Sequence, residues 1–161
     1  MPTGIAYGPD GNLYISGLSG LAPDEARVYV VDKNGKLLRT IDKLSNAVGV
    51  AVGPDGSVYV SDLLQGAPAG PEVAKVGASP ARAARAIAKA AAADAFDPAT
   101  IGQIVKIAPD DTRTYAQVTM PSGLAFTGGK LYASTWSIAI QGGIEHAGQI
   151  VSVDPASFVA Q

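Results

Sequence analysis

Three similar segments, each a short apolar run followed by alternating apolar and polar residues, recur along the chain. The apolar runs are Ile5-Ala6-Tyr7, Val50-Ala51-Val52 and Leu124-Ala125-Phe126, and continuous runs of this length are typical of strands buried on both faces. The segments that follow place their side chains alternately on two faces, as in Leu13-Tyr14-Ile15, which predicts a second strand. Each copy therefore predicts two paired strands.

A glycine-containing turn links the two strands of each copy. The first two copies have Gly-Pro-Asp-Gly at 8–11 and 53–56, where proline fixes φ for the first turn position and glycine accepts left-handed backbone. The third copy has Thr127-Gly128-Gly129-Lys130 instead. We therefore interpret Asp10 and Asp55 as turn residues rather than calcium ligands.

Two more strands are predicted in each copy. The third strands fall at 27–32, 102–108 and 148–154, and the fourth strands at 37–41, 113–118 and 157–160. Asn34-Gly35, between the third and fourth strands of the first copy, is a strong hairpin signal. Each copy therefore predicts a four-stranded antiparallel meander, and the equivalent residues Tyr14, Tyr59 and Tyr132 are expected to pack between neighbouring sheets.

The spacing of the copies predicts a β-propeller. Gly4 and Gly49 occupy the same place in successive copies and are 45 residues apart, which is the length of a four-stranded blade. We predict an all-β fold of three four-stranded antiparallel blades, half of a six-bladed propeller, with one helical insertion in the second blade. The blades are assigned to residues 2–44, 45–120 and 121–161.

The insertion in the second blade, at about residues 66–100, differs in composition from the repeats. Ser79 is a good N-cap, Pro80 fits the first helical position and an alanine-rich run follows, which predicts a helix over 79–94. We interpret its basic residues as a solvated face over the blade rim, and the alternative is a lid or a partner-binding helix. Asp97-Pro98-Ala99-Thr100 predicts a second, short capped turn.

The composition excludes several classes of protein. The net charge of −2 and the pI of 5.2 give no basic surface for nucleic acid or an anionic membrane, so neither is expected as a partner. The chain has no cysteine, which excludes disulfides, a thiol nucleophile and a thiolate zinc site. No apolar run approaches transmembrane length, and no signal peptide is visible before the first copy.

The repeat motif resembles known propeller repeats. Pro-Thr-Gly-Ile-Ala-x-Gly-Pro-Asp-Gly-Asn-Leu-Tyr-Ile-Ser at 2–16, followed by Ala-Arg-Val-Tyr-x-Val-Asp at 26–32, resembles NHL-type repeats. More narrowly, the chain is similar to the ScyD/ScyE family, in which a second blade like 53–60 is followed by a long insertion and a strand like 103–110. The resemblance implies a six-bladed propeller, a secreted or periplasmic location, and kinship with proteins of which some are associated with a sunscreen-pigment pathway.

Three blades are fewer than the roughly four to eight that close a propeller. Such a half-propeller has open edges, which invite pairing with another chain. We expect a second copy of the chain to complete a six-bladed ring around a two-fold axis. The alternative is that the sequence is part of a longer single-chain propeller.

The loops predict where a ligand would bind. In a meander of this order, the loop entering the first strand and the loop between the second and third strands lie on one face, and long loops on a rigid scaffold commonly carry binding sites. The loops at 17–26, 62–101 and 135–147 meet there. The candidate ligand-binding residues on this face are Thr3, Asn46, Asp62, Ser122, Trp136, Glu145 and His146.

Glu145 and His146, in the same loop as Trp136, form the strongest candidate group, because carboxylate and imidazole can ligate a metal or exchange protons. The alternative interpretation is a surface histidine beside a packed tryptophan. Calcium-dependent propeller lactonases resemble this architecture and use Glu, Asn and Asp around the channel. Asn46 and Asp62 fit that resemblance, but no matching glutamate precedes the first strand.

Three functions remain open from the sequence. The first is a non-catalytic binding module of ScyD/ScyE type for a small molecule or protein, without a catalytic residue. The second is a lactonase- or lyase-like enzyme that depends on a divalent cation, calcium. The third is a structural or assembly protein in which helix 79–94 docks another protein. No phosphate-binding glycine loop, nucleophile elbow or His-Glu-x-x-His motif occurs.

Overall fold

The computed structural model describes residues 1–18, 24–67, 97–139, 144–145 and 147–161. The helix predicted at 79–94 and the side chain of His146 lie outside the described residues. The strands are β1 (Pro2–Tyr7), β2 (Leu13–Gly17), β3 (Ala26–Val31), β4 (Leu37–Leu44), β5 (Ala47–Val52), β6 (Val58–Asp62), β7 (Gln103–Ile107), β8 (Arg113–Gln117), β9 (Leu124–Thr127), β10 (Lys130–Thr135) and β11 (Gln149–Val153). Among these residues no helix has the length and apolar character needed to span a membrane.

The strands form three antiparallel sheets, one for each copy of the repeat. Their orders are β1-β2-β3-β4, β5-β6-β7-β8 and β11-β10-β9, and we call these sheets blades 1, 2 and 3. Within each sheet, consecutive strands pair, which confirms the predicted four-stranded meander in blades 1 and 2 and its first three strands in blade 3. The register is the same in the first two blades, with Ile5 opposite Ile15 and Val50 opposite Val60, so residues of different blades can be compared position by position.

The Gly-Pro-Asp-Gly turns form as predicted. Gly11 and Gly56 adopt φ angles of 76° and 81°, the left-handed region in which a Cβ is strained. Each donates its N–H to the carbonyl of the first turn residue at 3.0 Å. The carboxylates of Asp10 and Asp55 accept backbone N–H groups two residues further on, at 3.1 and 3.0 Å. Both aspartates therefore serve the turn.

The fourth strand predicted for blade 3, at 157–160, differs from the prediction. Pro155–Ser157 forms a 3-10 turn, and the Asp154 side chain accepts the backbone N–H of Ala156 at its start. Beyond the turn, Val159 exchanges two backbone hydrogen bonds with Tyr115 of β8, at 2.8 and 3.0 Å. The Asp-Pro pair ends the extended backbone, so the last residues pair with blade 2 instead of β11.

The capped turn predicted before β7 is confirmed. Pro98–Thr100 forms a 3-10 turn, and the Asp97 side chain accepts the backbone N–H of Ala99 at 2.9 Å. Proline fits the start of such a turn because its missing N–H has no partner to lose there.

The blades stack face to face around apolar cores. One core joins blades 1 and 2 and includes Tyr14, and the other joins blades 2 and 3 and includes Tyr59. The Tyr59 ring lies 5.7 Å from the ring centres of both Phe126 and Phe158. The prediction that these two tyrosines pack between blades is confirmed. Tyr132, at the equivalent position of blade 3, is only half-buried because it faces away from blade 2.

The outer face of blade 1 contradicts one prediction. Ile5 and Tyr7, expected to lie in a strand buried on both faces, are 65% and 77% exposed. Their counterparts in blade 2, Val50 and Val52, are covered by blade 1. Burial on this face of a strand depends on the preceding blade, and the described residues place none against blade 1.

Candidate functional site

The first strands of the three blades, β1, β5 and β9, run side by side, and we call them the inner strands. A Cβ on Gly4 would lie 2.7 Å from the Val48 carbonyl oxygen, and a Cβ on Gly49 would overlap the Ser122 carbonyl. Real Cβ atoms are not found at such distances, so glycine is required for neighbouring inner strands to approach. The repeated glycine is therefore explained by blade-to-blade packing.

A serine at the end of the second strand joins each blade to the next. Ser16 Oγ donates to the Val48 carbonyl at 2.9 Å, and Ser61 Oγ donates to the Ser122 carbonyl at 2.7 Å. Ser61 Oγ also accepts the N–H of Gly49 at 2.6 Å. These serines were not singled out from the sequence, although their recurrence at the same place in every copy was a signal that could have found them.

A cavity of about 290 Å³ lies between the inner strands and is lined by residues 3–5, 48–50 and 122–124. Two predicted site residues, Thr3 and Ser122, meet in its lining. Thr3 Oγ1 donates to the Ala47 carbonyl at 3.0 Å, and the Ser122 hydroxyl contacts that of Ser137 at 2.7 Å. Their hydroxyls are thus held by neighbouring groups, although the residue Thr3 is exposed.

A second polar group lies at the end of β5, β6 and β7 nearest the long loops. Asn46 directly precedes β5, Asp62 ends β6, and Gln103 begins β7 opposite Asp62 in the register. All three are buried, at 7%, 4% and 7% exposure. We call Asn46, Asp62 and Gln103 the buried polar cluster. The sequence predicted the first two members and missed Gln103, whose position opposite Asp62 follows only from the strand register.

Two oxygens of the buried polar cluster have no hydrogen-bond partner among the described residues. They are Asn46 Oδ1 and Asp62 Oδ1. Burial raises the pKa of Asp62, against the opposing effect of the neighbouring Asn46 and Gln103 amides and nearby backbone N–H groups. Buried acceptors are normally satisfied, so these two oxygens favour a donor or a cation at this position.

An apolar wall flanks this end of the molecule. Its members share deep burial and come from all three blades and the loops between them; they are Leu18, Leu63, Leu64, Ile101, Met120 and Ile138. Leu63 and Leu64 directly follow Asp62, which places the carboxylate where the polar sheet end meets apolar side chains. A binding site built here would combine a few acceptors with an apolar surface, as small-molecule sites commonly do.

The group of Trp136, Glu145 and His146 stays a prediction, because His146 lies outside the described residues. Trp136 is half-buried against the apolar wall, with a φ of 56°. Glu145 is exposed. The residues that the fold brings together are therefore Thr3 with Ser122, and Asn46 with Asp62.

The buried polar cluster provides some, but not all, of the oxygen ligands that calcium takes. Calcium takes six to eight oxygen ligands, usually including several carboxylates, and the cluster supplies one carboxylate and two amides. In the part of the chain that the structure describes, no three His, Cys, Asp or Glu residues are grouped to hold a metal ion. The oxygen chemistry suits calcium, but the number of carboxylates is low.

Among the comparisons with known proteins, one solved structure supports the fold. No protein-family model matches the chain, and no curated protein matches it. A solved structure provisionally named as a gluconolactonase is similar, with a TM-score of 0.52 and 21% identity over 84% of this chain and 41% of that chain. A streptogramin B lyase structure has a TM-score of 0.49 and 16% identity over 82% of this chain and 33% of that chain.

The chain thus spans less than half the length of these two structures. Three antiparallel meanders stacked face to face around adjacent inner strands, together with the likeness to the structure named as a gluconolactonase, define the class of protein. The described residues form consecutive blades of a β-propeller.

Proposed function

We propose that this chain is a β-propeller binding module whose ligand site is the buried polar cluster at the loop face. The observation that carries the proposal is the pair of buried oxygens, Asn46 Oδ1 and Asp62 Oδ1, without hydrogen-bond partners in the described part of the chain. Leaving a buried acceptor unpaired costs roughly 1–3 kcal/mol. A ligand that supplies donors would recover that free energy, which gives the site its affinity.

The proposed ligand is a small molecule with hydroxyl or amine donors and an apolar body. The donors match the unpaired oxygens, and the apolar body matches the wall formed around Leu63 and Leu64. No catalytic residue is assigned, because Glu145 is exposed and the buried polar cluster holds a single titratable group, Asp62.

The proposal can be tested by thermal unfolding in the presence of a defined panel of sugars, polyols and primary amines, with EDTA present throughout. We expect at least one class to raise the Tm of the wild type and to have little effect on Asp62→Asn. The matched control is Asp110→Asn, which alters an exposed turn aspartate and should keep the wild-type response. An equal shift in all three proteins, or no shift with any compound, would refute the proposal.

A divalent-cation-dependent lactonase- or lyase-like enzyme is the second candidate function. It is favoured by the chemistry of the unpaired atoms, since carboxylate and amide oxygens are calcium ligands. The likeness to the lyase and to the protein named as a gluconolactonase supports only the fold. Calcium titration by calorimetry separates the two candidates: binding that is lost in Asp62→Asn, together with calcium-dependent lactone hydrolysis, would favour the enzyme.

The closer kinship with the ScyD/ScyE family is also a proposal. It is supported by the Gly-Pro-Asp-Gly-Ser-Val-Tyr-Val sequence at 53–60, the long insertion after it and the strand that begins at Gln103. Export to a secreted or periplasmic location belongs to the same proposal.

A further inference from the structure

The two interfaces between blades are built in the same way. At each, the serine of one blade donates to the carbonyl of the residue before the next blade's glycine, as Ser16 does to Val48 and Ser61 does to Ser122. The same hydrogen bond forms at both interfaces because the two serines occupy the same place in the repeat, as do the two acceptor residues. The residues that would form a third interface of this kind can therefore be named from the repeat.

The apolar contacts are repeated as well. Val28, opposite Ser16 in the register, is buried in one core with Val50 of the next blade. Ile104, opposite Ser61, is buried in the other core against Leu124 of the next blade. At each interface, a side chain of the third strand thus packs against the inner strand of the blade that follows.

The two outer faces of the molecule carry the two halves of this interface. On blade 3, Ile150 lies opposite Ser134, the position of Val28 and Ile104, and is 79% exposed. On blade 1, Ile5 occupies the position of Val50, and its side chain is 65% exposed. Each face exposes the residue type that is buried at the internal interfaces.

The hydrogen-bonding groups on the outer faces match in the same manner. Ser134 Oγ accepts the N–H of Gly123 at 2.9 Å, as Ser61 Oγ does for Gly49. Among the described residues its hydroxyl reaches only groups of its own blade, Ser122 Oγ at 3.0 Å and the Gly123 carbonyl at 3.4 Å, and no carbonyl of a following blade. The residue before the first repeat glycine is Thr3, at the position of Val48 and Ser122. Its carbonyl is the equivalent acceptor.

We propose that blade 3 of one copy packs against blade 1 of a second copy, and that the contact occurs twice around a two-fold axis. Ile150 packs against Ile5 of the second copy, Tyr132 packs against Tyr7, and Ser134 Oγ donates to the Thr3 carbonyl. The result is a closed ring of about six blades, which lies within the range of known propellers.

This assembly changes the central cavity. In the single chain, the cavity between the inner strands is bounded on one side by residues 3–5 and on the other by residues 122–124. In the dimer these two segments face the corresponding segments of the second copy. The cavity therefore becomes a channel to which both copies contribute hydroxyl groups, Thr3 and Ser122 from each.

The proposal is tested by sedimentation equilibrium of the wild type, Ile150→Lys and Ile5→Asp over a wide range of concentrations. We expect a wild-type dimer and at least about a 100-fold weaker association for each variant, since each removes a central apolar anchor from both contacts. Ala156→Lys, which adds the same charge to an exposed turn of blade 3, is the matched control and should remain dimeric. Circular dichroism checks that each variant is folded.

Mixing the two variants gives the sharpest result. A dimer of one Ile150→Lys copy and one Ile5→Asp copy contains one unaltered contact and one contact in which lysine meets aspartate. We therefore expect the mixture to dimerise although each variant alone is monomeric. Recovery of the dimer would support contact between blade 3 of one copy and blade 1 of the other. If blade 3 instead paired with blade 3, and blade 1 with blade 1, each contact of the mixed dimer would contain a substituted residue and the dimer would not be recovered.

Three outcomes would overturn the proposal. A wild-type monomer at all concentrations would show that a second copy of the chain does not cover the outer faces. A dimer that persists in both variants would place the contact elsewhere. A series of oligomers larger than the dimer would show that the contact does not close into a ring.

Discussion

Replacing Asp62 with asparagine should stabilise the protein at neutral pH. The change keeps the shape of the side chain and removes a negative charge that is 4% exposed. Burial raises the pKa of Asp62 above the ordinary carboxyl value of 3.8, so folding favours its neutral form. One carboxylate oxygen also has no hydrogen-bond partner in the described residues.

The sign of the pH dependence follows from the raised pKa. A group whose pKa is higher in the folded state contributes its stability below the unfolded-state value and loses it as the pH rises through the folded-state pKa. The wild type should therefore lose stability through this group as the pH rises above 3.8 and passes through the raised folded-state pKa, and Asp62→Asn should not. From the cost of one unsatisfied buried acceptor, we expect the variant to be about 1–3 kcal/mol more stable at pH 7.

The assay is urea unfolding across this pH range, with EDTA present so that no cation binds. Asp110→Asn is the control. Hydrogen bonds from Thr112 lower the pKa of this exposed aspartate, so replacing it should slightly lower the stability of the protein at neutral pH. A variant Asp62→Asn that is less stable than the wild type at neutral pH would contradict this prediction. That result would mean that the Asn46 and Gln103 amides and the nearby backbone N–H groups stabilise the charge by more than its burial costs.

Two further predictions concern the packing of the blades, and both are measured by urea unfolding in the Ile150→Lys background, where we expect the chain to be monomeric. Gly49→Ala should lower the free energy of unfolding by about 1–3 kcal/mol or more, because its Cβ would overlap a neighbouring carbonyl. Gly123→Ala, with only a serine hydroxyl 3.2 Å away, should lower it by less than about 1 kcal/mol. Ser61→Ala should lower the free energy of unfolding by about 2–4 kcal/mol, because it leaves a buried N–H and a carbonyl unpaired. Ser134→Ala, on the outer face of blade 3, should lower it by less. Equal losses within either pair would contradict the role given to the blade interface.

Most of the fold could be predicted from the sequence because its signals are local. The turns at 8–11 and 53–56 require particular residues at particular positions, and the strands between them alternate with the period of a sheet. The Asp-Pro pair at 154–155 is an equally local signal for a capped turn. The prediction of a strand at 157–160 was wrong because it did not take this signal into account. The helix predicted at 79–94 lies outside the described residues and stays a prediction.

The exposure of Ile5 and Tyr7 could not be predicted from their own strand. An apolar strand looks the same whether a blade covers it or not, since covering depends on a blade that is distant in sequence or belongs to another chain. The same limit applies to the site. Asn46 and Asp62 were found from their loop positions, whereas Gln103 joins them only because the register of β6 and β7 places it opposite Asp62.

We propose above all that the interface between blades continues from one copy of the chain to the next. The mass of the wild-type chain in solution, measured by light scattering over a wide range of concentrations, tests this proposal most directly. We expect a species of twice the 16.2 kDa of one chain. A mass of one chain at every concentration would contradict the proposed dimer.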